Sequence, residues 1–319
     1  MLNILENESL SKYTTFHIGG AAKFFVVVKN VEEIKEALAR AKEKNLKYFI
    51  LGGGSNLLFG DAGFDGLVIK IAFTEIEIAD DVMIVGAGTP LFLAVKKAAE
   101  AGLAGLESLA GIPGTVGGAT ANNAGAYGKS ISDVLIKAEI LLPAPRSSGT
   151  PERSGVDKSW FEYEYRASKF KYWTDGGKPV ILRVWLSLKK TEKDLLDQKI
   201  SEVMAARNAK EPKGFCAGCI FKNFKGPQVK ELLEKINFSP EEKNLFASRG
   251  AIPAAWFIER AELKGKKIGG AYIPAEHANY ILSDGTAKAE DVIMMISFIK
   301  QQVRDKFGVQ LEEEIEIII

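Results

Sequence analysis

The sequence predicts an α+β fold divided among more than one domain, and three observations carry that expectation. Strand-like and helix-like segments alternate along the chain. Two glycine-rich blocks interrupt them. The length of 319 residues, at about 150 residues per domain, suggests two domains or three. With 46% apolar and 26% charged residues, the composition is that of an ordinary globular chain, whose core needs neither disulfides nor a metal to hold it. Forty-two Lys and Arg balance forty-one Asp and Glu, leaving +1, so no basic field would draw the chain to nucleic acid or an anionic membrane. The two cysteines, Cys216 and Cys219, exclude a disulfide-rich scaffold. With only His17 and His277 available, no metal site is expected. The N-terminal MLNILENESLSKYTTF lacks the basic stretch and apolar run of a signal peptide. No apolar run reaches the length of a membrane span, and the expected location is the cytoplasm.

Taken in order, FFVVVK at Phe24–Lys29 predicts a buried strand. Ile34, Ala37, Leu38 and Ala41 then follow helical spacing between Val31 and Asn45, with Asn45 as the stop. YFIL at Tyr48–Leu51 predicts a second strand that runs directly into the glycine turn, and shorter strands follow at Leu67–Ile71, Ile76–Ile78 and Val82–Val85. Thr89 and Pro90 predict the N-cap and first position of a helix over 91–101, stopped by Gly102. Strands are expected at 136–142 and 180–189, with a polar surface loop at 143–158. A helix over 193–207 leads to Glu211-Pro212, where a domain boundary is expected. Two short helices are predicted at 227–236 and 239–248, the second with a Ser239/Glu242 capping box. A long helix over 289–307 and an alternating strand through Ile315, Ile317 and Ile319 complete the chain, which shows no internal repeat. The expected domains are 1–71, 72–208 and 209–319.

The glycine blocks are GGGSN at Gly52–Asn56 and GIPGTVGGATANNAGAYG at 111–128. The first lacks the Gly-Lys-Ser/Thr of a P-loop and is not the GxGxxG fingerprint. A tight turn explains it as well as a phosphate cradle does. Two such blocks in one chain point instead to main chain packed against a large planar or phosphorylated ligand. Cys216 and Cys219 form C-x-x-C, half of a zinc site with no second pair, and by residue chemistry they read as unreactive thiols. Tyr165-Arg166 sets a guanidinium against an aromatic ring, either a surface contact or a clamp for a carboxylate.

In this order, the motifs resemble the UDP-N-acetylenolpyruvoylglucosamine reductase (MurB) family. They are YTTFHIGG (13–20), LGGGSNLL (51–58), the block at 111–128, YRASKF (165–170), AGCIFKN (217–223), GGAYIPAEHANY (269–280) and LEEEIEII (311–318). The resemblance implies a two-part FAD-binding module of the PCMH/vanillyl-alcohol-oxidase type, 1–71 and 72–208, and a C-terminal α+β substrate domain. In that reading Gly52, Gly53, Gly54, Ser55 and Asn56 bind the FAD pyrophosphate. Gly111, Gly114, Thr115, Gly117, Gly118, Asn123, Gly125 and Ala126 line the cofactor. No histidine lies near either block, so non-covalent FAD is expected.

The family reaction passes hydride from NADPH through FAD to C3 of the enolpyruvyl group, and an acid protonates C2 to give UDP-N-acetylmuramate. The resemblance places Arg166 and Glu314 at the substrate carboxylate, with a raised pKa expected for Glu314. Tyr165, Lys222, Asn223 and His277 are expected to bind the UDP-sugar. Cys219 stands where the family usually has a serine proton donor; a thiol gives up its proton more readily than an alcohol, so Cys219 is the expected donor. A Cys216–Cys219 disulfide would remove that donor under oxidation. Further departures are Phe224 in place of Pro, Pro274 in place of Ser, and about thirty residues at 225–255 that shorter relatives lack. The competing readings are another flavin oxidoreductase of this fold and a non-catalytic flavin or nucleotide-sugar binder.

Overall fold

The computed structural model of the chain describes residues 2–142, 152–171, 173 and 178–319. It divides into two compact units. The first comprises residues 1–9, 21–54 and 63–209; the second comprises 10–20, 55–62 and 210–319. The α+β class is borne out.

In the first unit, a four-stranded sheet runs in the order Ile4–Ser9, Ala21–Val28, Phe64–Ile71, Lys47–Leu51. The last three strands are parallel, and α1 (Val31–Glu43) makes the crossover that parallel pairing requires. Asn30 caps α1 by accepting the Glu33 N–H. Ile34, Ala37, Leu38 and Ala41 are its buried face, as their spacing predicts. Asn45 takes φ +50° and ends the turn. The sequence did not reveal Ile4–Ser9, an edge strand whose ILENES has no buried residue to create a pattern.

The second sheet of this unit is antiparallel, in the order Glu152–Asp157, Leu135–Leu142, Val180–Ser187, Val82–Gly86, Ile76–Ala79. Part of the expected 143–158 loop is therefore a strand. Its ERSGVD has no buried residue, because it is the sheet's edge; residues 143–151 lie outside those described. Helices α2 (Leu91–Glu100), α3 (Val116–Asn122) and α4 (Lys193–Asn208) complete the unit. One core joins both sheets, with Ile69 and Ile71 clustering with Met83 and Val85. Thr89 does not cap α2 as predicted: Pro90 takes the cap position with no side-chain bond, and the enclosed Thr89 hydroxyl has no partner.

In the second unit, α5 (Pro227–Lys235), α6 (Pro240–Arg249), α7 (Ala254–Arg260) and α8 (Ala289–Phe307) surround a core of Phe221, Phe257, Ile296 and Ile299. The Ser239/Glu242 capping box forms as predicted. Two short segments from early in the chain also belong here. Leu57–Phe59 pairs in parallel with Glu316–Ile318, and the Asp61 carboxylate accepts the Ala289 and Glu290 N–H groups at the head of α8, at 2.9 and 3.1 Å. Phe16, Ile18 and Leu58 lie in the core of this unit. The expected C-terminal domain of 209–319 omits these segments, since their partners are tertiary and leave no local signal. The final alternation is only partly realised. Ile315 is buried and Ile317 half-buried, while Ile319 is 92% exposed.

Candidate active site

In the first unit the two glycine blocks meet. A Cβ built on Gly53 would fall 2.5 Å from the Gly114 Cα, and one on Gly52 would fall 2.8 Å from the Thr115 hydroxyl. At Gly53 the two loops therefore touch main chain to main chain, while Gly52 lies against the Thr115 side chain. The second block is laced down along its start: Leu91 N–H to Gly114 O, Val116 N–H to Thr89 O and Gly117 N–H to Ala87 O, at 3.0, 2.9 and 2.8 Å. These bonds explain a helix that the sequence did not reveal. VGGATAN has two adjacent glycines and low propensity, yet α3 forms because its first turn is anchored and capped by the Thr115 hydroxyl, which accepts the Gly118 N–H.

The remaining predicted cofactor residues divide by surroundings. Gly111 packs on Met204 and Arg207 of α4, Gly117 on Ala87, and Gly125 on Lys129. Each has a packing reason to be glycine. At Gly118 a Cβ would meet nothing nearer than 3.5 Å. Gly125 and Ala126 pair with Lys129 and Ser130 in a small hairpin, and Asn123 is the left-handed cap of α3. Gly54 is the last residue of the block in the first unit. Ser55 and Asn56 belong to the second. There the Asn56 amide donates to the Glu314 carbonyl and its own carbonyl accepts the Glu316 N–H, both at 3.0 Å. Asn56 therefore holds the strand that carries Glu314.

Arg166 lies at the tip of a tight turn with φ +55°, its guanidinium 5.9 Å from the centre of the Tyr165 ring. Both residues are half-buried.

The second unit brings Cys219 and Glu314 onto neighbouring extended segments joined by isolated bridges. Phe221 bridges Glu313; Glu314 N–H donates to Ile220 O at 2.7 Å and Lys222 N–H to Glu312 O at 2.9 Å. Glu314 is thus opposite Ile220, one residue from Cys219. On the other edge Cys219 bridges Tyr280, and Ile220 N–H donates to Asn279 O at 2.9 Å. The Asn279 side chain adds two bonds to the Phe221 main chain, at 3.0 and 2.8 Å. The strand carrying Cys219 is therefore held from both sides, and no sequence signal had singled out Asn279.

Cys216 and Cys219 are half-buried and not disulfide-linked. Burial pushes the Cys216 thiol above its ordinary pKa, against the opposing pull of the Gly218 N–H. Among the described residues no metal-binding cluster occurs, and no helix is long and apolar enough to cross a membrane.

Of the predicted substrate residues, Lys222 pairs with Glu312 at 3.3 Å. The Asn223 carbonyl oxygen accepts the Ala254 N–H at 3.1 Å at the start of α7, a structural use of that side chain. His277 accepts the Asn279 N–H on Nδ1 at 3.2 Å, so its neutral form carries the proton on Nε2. Burial, then the Lys264 charge, holds its pKa below the ordinary value.

Comparison with known proteins covers both units. A family model described as an FAD binding domain matches residues 22–145. One described as the C-terminal domain of UDP-N-acetylenolpyruvoylglucosamine reductase matches residues 210–318. The UDP-N-acetylenolpyruvoylglucosamine reductase of Solibacter usitatus is 35% identical over 99% of this chain and 97% of its own. Reductase 1 of Bacillus anthracis is 34% identical over 99% and 94%. The crystal structure of the Thermus caldophilus enzyme superposes with a TM-score of 0.75 at 32% identity, covering 100% of this chain and 99% of that one. By sequence along its whole length and by fold, the chain belongs to the UDP-N-acetylenolpyruvoylglucosamine reductase (MurB) family.

Proposed function

We propose that this chain reduces UDP-N-acetylglucosamine enolpyruvate to UDP-N-acetylmuramate with NADPH, through bound FAD, in the synthesis of peptidoglycan precursors. The observation that carries the reading is the unbroken full-length match to reductases of this name. The residues present fit FAD. Gly52 and Gly53 pack against the second block with no room for a Cβ, and a Cβ on Gly118 would meet only the Thr115 hydroxyl, at 3.5 Å. Peptide groups bare of side chains suit a pyrophosphate and a flat ring system. Bound there, FAD supplies hydride chemistry between NADPH and C3 of the enolpyruvyl group.

The side chains supply the rest. Arg166 binds the substrate carboxylate by paired hydrogen bonds and stabilises the negative charge that builds there during reduction. Glu314, protonated or sharing a proton, supports the same charge. Cys219 delivers a proton to C2, since a thiol gives up its proton more readily than an alcohol. Tyr165, Lys222 and His277 contact the UDP-sugar. Residues 1–71 and 72–208 form the two parts of the FAD module, except that 10–20 and 55–62 join 209–319 in the substrate domain, and the 225–255 helices form a cover or contact surface on that domain. The enzyme works in the cytoplasm.

Purified protein tests the reading. A yellow chromophore released by denaturation identifies non-covalent flavin, and NADPH oxidation that depends on the enolpyruvyl substrate identifies the reductase. Oxidation with dioxygen alone would identify an oxidase, and a colourless protein would overturn the assignment.

A further inference from the structure

Arg166 is held in a conformation that its own backbone disfavours. Glu164 and Ala167 exchange main-chain hydrogen bonds of 3.1 and 3.3 Å, leaving Tyr165 and Arg166 as a two-residue tip, and Arg166 adopts φ +55°. A residue with a Cβ rarely enters this left-handed region. Such outliers persist only where the surroundings over-determine them, and they cluster at functional sites.

Three hydrogen bonds supply that constraint, and all of them lead to the end of α3. The Tyr163 hydroxyl donates to Thr120 O at 2.9 Å, the Ser168 hydroxyl to Ala121 O at 2.5 Å, and the Asn123 amide to Glu164 O at 2.9 Å. Thr120 and Ala121 belong to the last turn of α3, where helix geometry leaves carbonyls short of α-helical partners; Thr120 O also accepts the Asn123 N–H of the cap, at 3.4 Å. The bonds fall before the tip, at its base and after it. Ser168 is 2% exposed, and its oxygen also accepts the Lys171 N–H at 3.4 Å. Burial pushes the Tyr163 phenol far above its ordinary pKa, so it remains a donor at any working pH. The reaction uses neither hydroxyl directly.

We propose that Ser168 and Tyr163 are positioning residues for the reduction. They anchor the arginine turn to α3, so that the guanidinium of Arg166 meets the substrate carboxylate in one fixed place. The arginine and the glycine-rich block that begins α3 then act as one rigid piece. This rests on the reading of Arg166 as the carboxylate ligand. An alternative, purely structural role would stabilise the fold without acting through Arg166.

A double-mutant cycle separates the two. Steady-state kinetics with the enolpyruvyl substrate and thermal melts are measured for S168A, S168T, Y163F, R166K and S168A/R166K. Anchoring predicts that S168A raises KM and lowers kcat, so that kcat/KM falls about tenfold to a hundredfold, as displacement of a binding group by about an ångström does. S168T, which keeps the hydroxyl, recovers most of this. In the R166K background the same alanine costs less than about twofold in kcat/KM, while its effect on Tm is the same in both backgrounds. Wild-type kcat/KM in S168A, or an equal loss in both backgrounds, overturns the proposal. If S168A does not fold, Y163F takes its place in the cycle under the same criteria. Unchanged kcat/KM in R166K overturns the reading of Arg166 itself, and the anchoring role with it.

Discussion

The first unit brings Gly53 against Gly114 main chain to main chain, whereas the second offers Cys219 and Glu314 as side chains on neighbouring bridged segments. The difference decides what each region tolerates. A surface made of peptide groups depends on the absence of side chains, and a single methyl spoils it. A site made of side chains depends on strand register, which survives exchange of one hydroxyl for one thiol.

Breaking the second region has the largest expected effect. If Cys219 is the proton donor proposed above, Cys219→Ala should lower kcat by about 10²–10⁴-fold, with FAD still bound; Cys219→Ser should keep much of the activity. Full activity in the alanine variant would eliminate the thiol from the reaction. Breaking the first region is the next test. Gly53→Ala drives a methyl into the Gly114 main chain, and a clash of this size should weaken FAD binding roughly a hundredfold. Flavin fluorescence titration measures it, and wild-type affinity would dissociate the block from the cofactor.

Asn56 sharpens the comparison, because its motif spans both units while its bonds lie in the second. Asn56→Ala should lower kcat about tenfold by loosening the Glu314 strand, with FAD affinity nearly unchanged. Loss of FAD at normal kcat would return Asn56 to the cofactor. The smallest effect concerns His277, whose folded-state pKa is depressed by burial and by Lys264. The unfolded chain takes up its proton first, so stability falls as pH drops through the unfolded value of about 6.5. His277→Asn keeps an acceptor near the Nδ1 position and should flatten this slope. Melting curves between about pH 7.5 and about pH 5.5 that coincide for the two proteins would refute it.

Elements that bury one face and carry local caps were legible from sequence: α1, α6 and α8 have helical spacing or capping residues within their own segments. The edge strands Ile4–Ser9 and Glu152–Asp157 were not, since no buried face imposes an alternation on them. Helix α3 was hidden because its glycines give it low propensity, and beyond the Thr115 cap its first turn is held by Ala87 and Thr89, distant in sequence. The same holds at the candidate site. Each glycine block could be found, but not their contact. Asn56 and Asn223 could be nominated, but not the structural bonds their amides make. Ser168 sits inside a quoted motif, yet only the fold shows that its hydroxyl reaches Ala121.

The pairing of Leu57–Phe59 with Glu316–Ile318 has a consequence for dissection of the gene. A fragment cut at residue 210 would carry the C-terminal family match intact and still lack Phe16, Ile18 and Leu58 from its interior and the Asp61 carboxylate from α8. Exposed apolar surface of that kind promotes aggregation. The part recognisable as a module by homology is therefore not a module that can be excised or transplanted, and a chimaera joined at that point should be insoluble unless residues 10–20 and 55–62 travel with it.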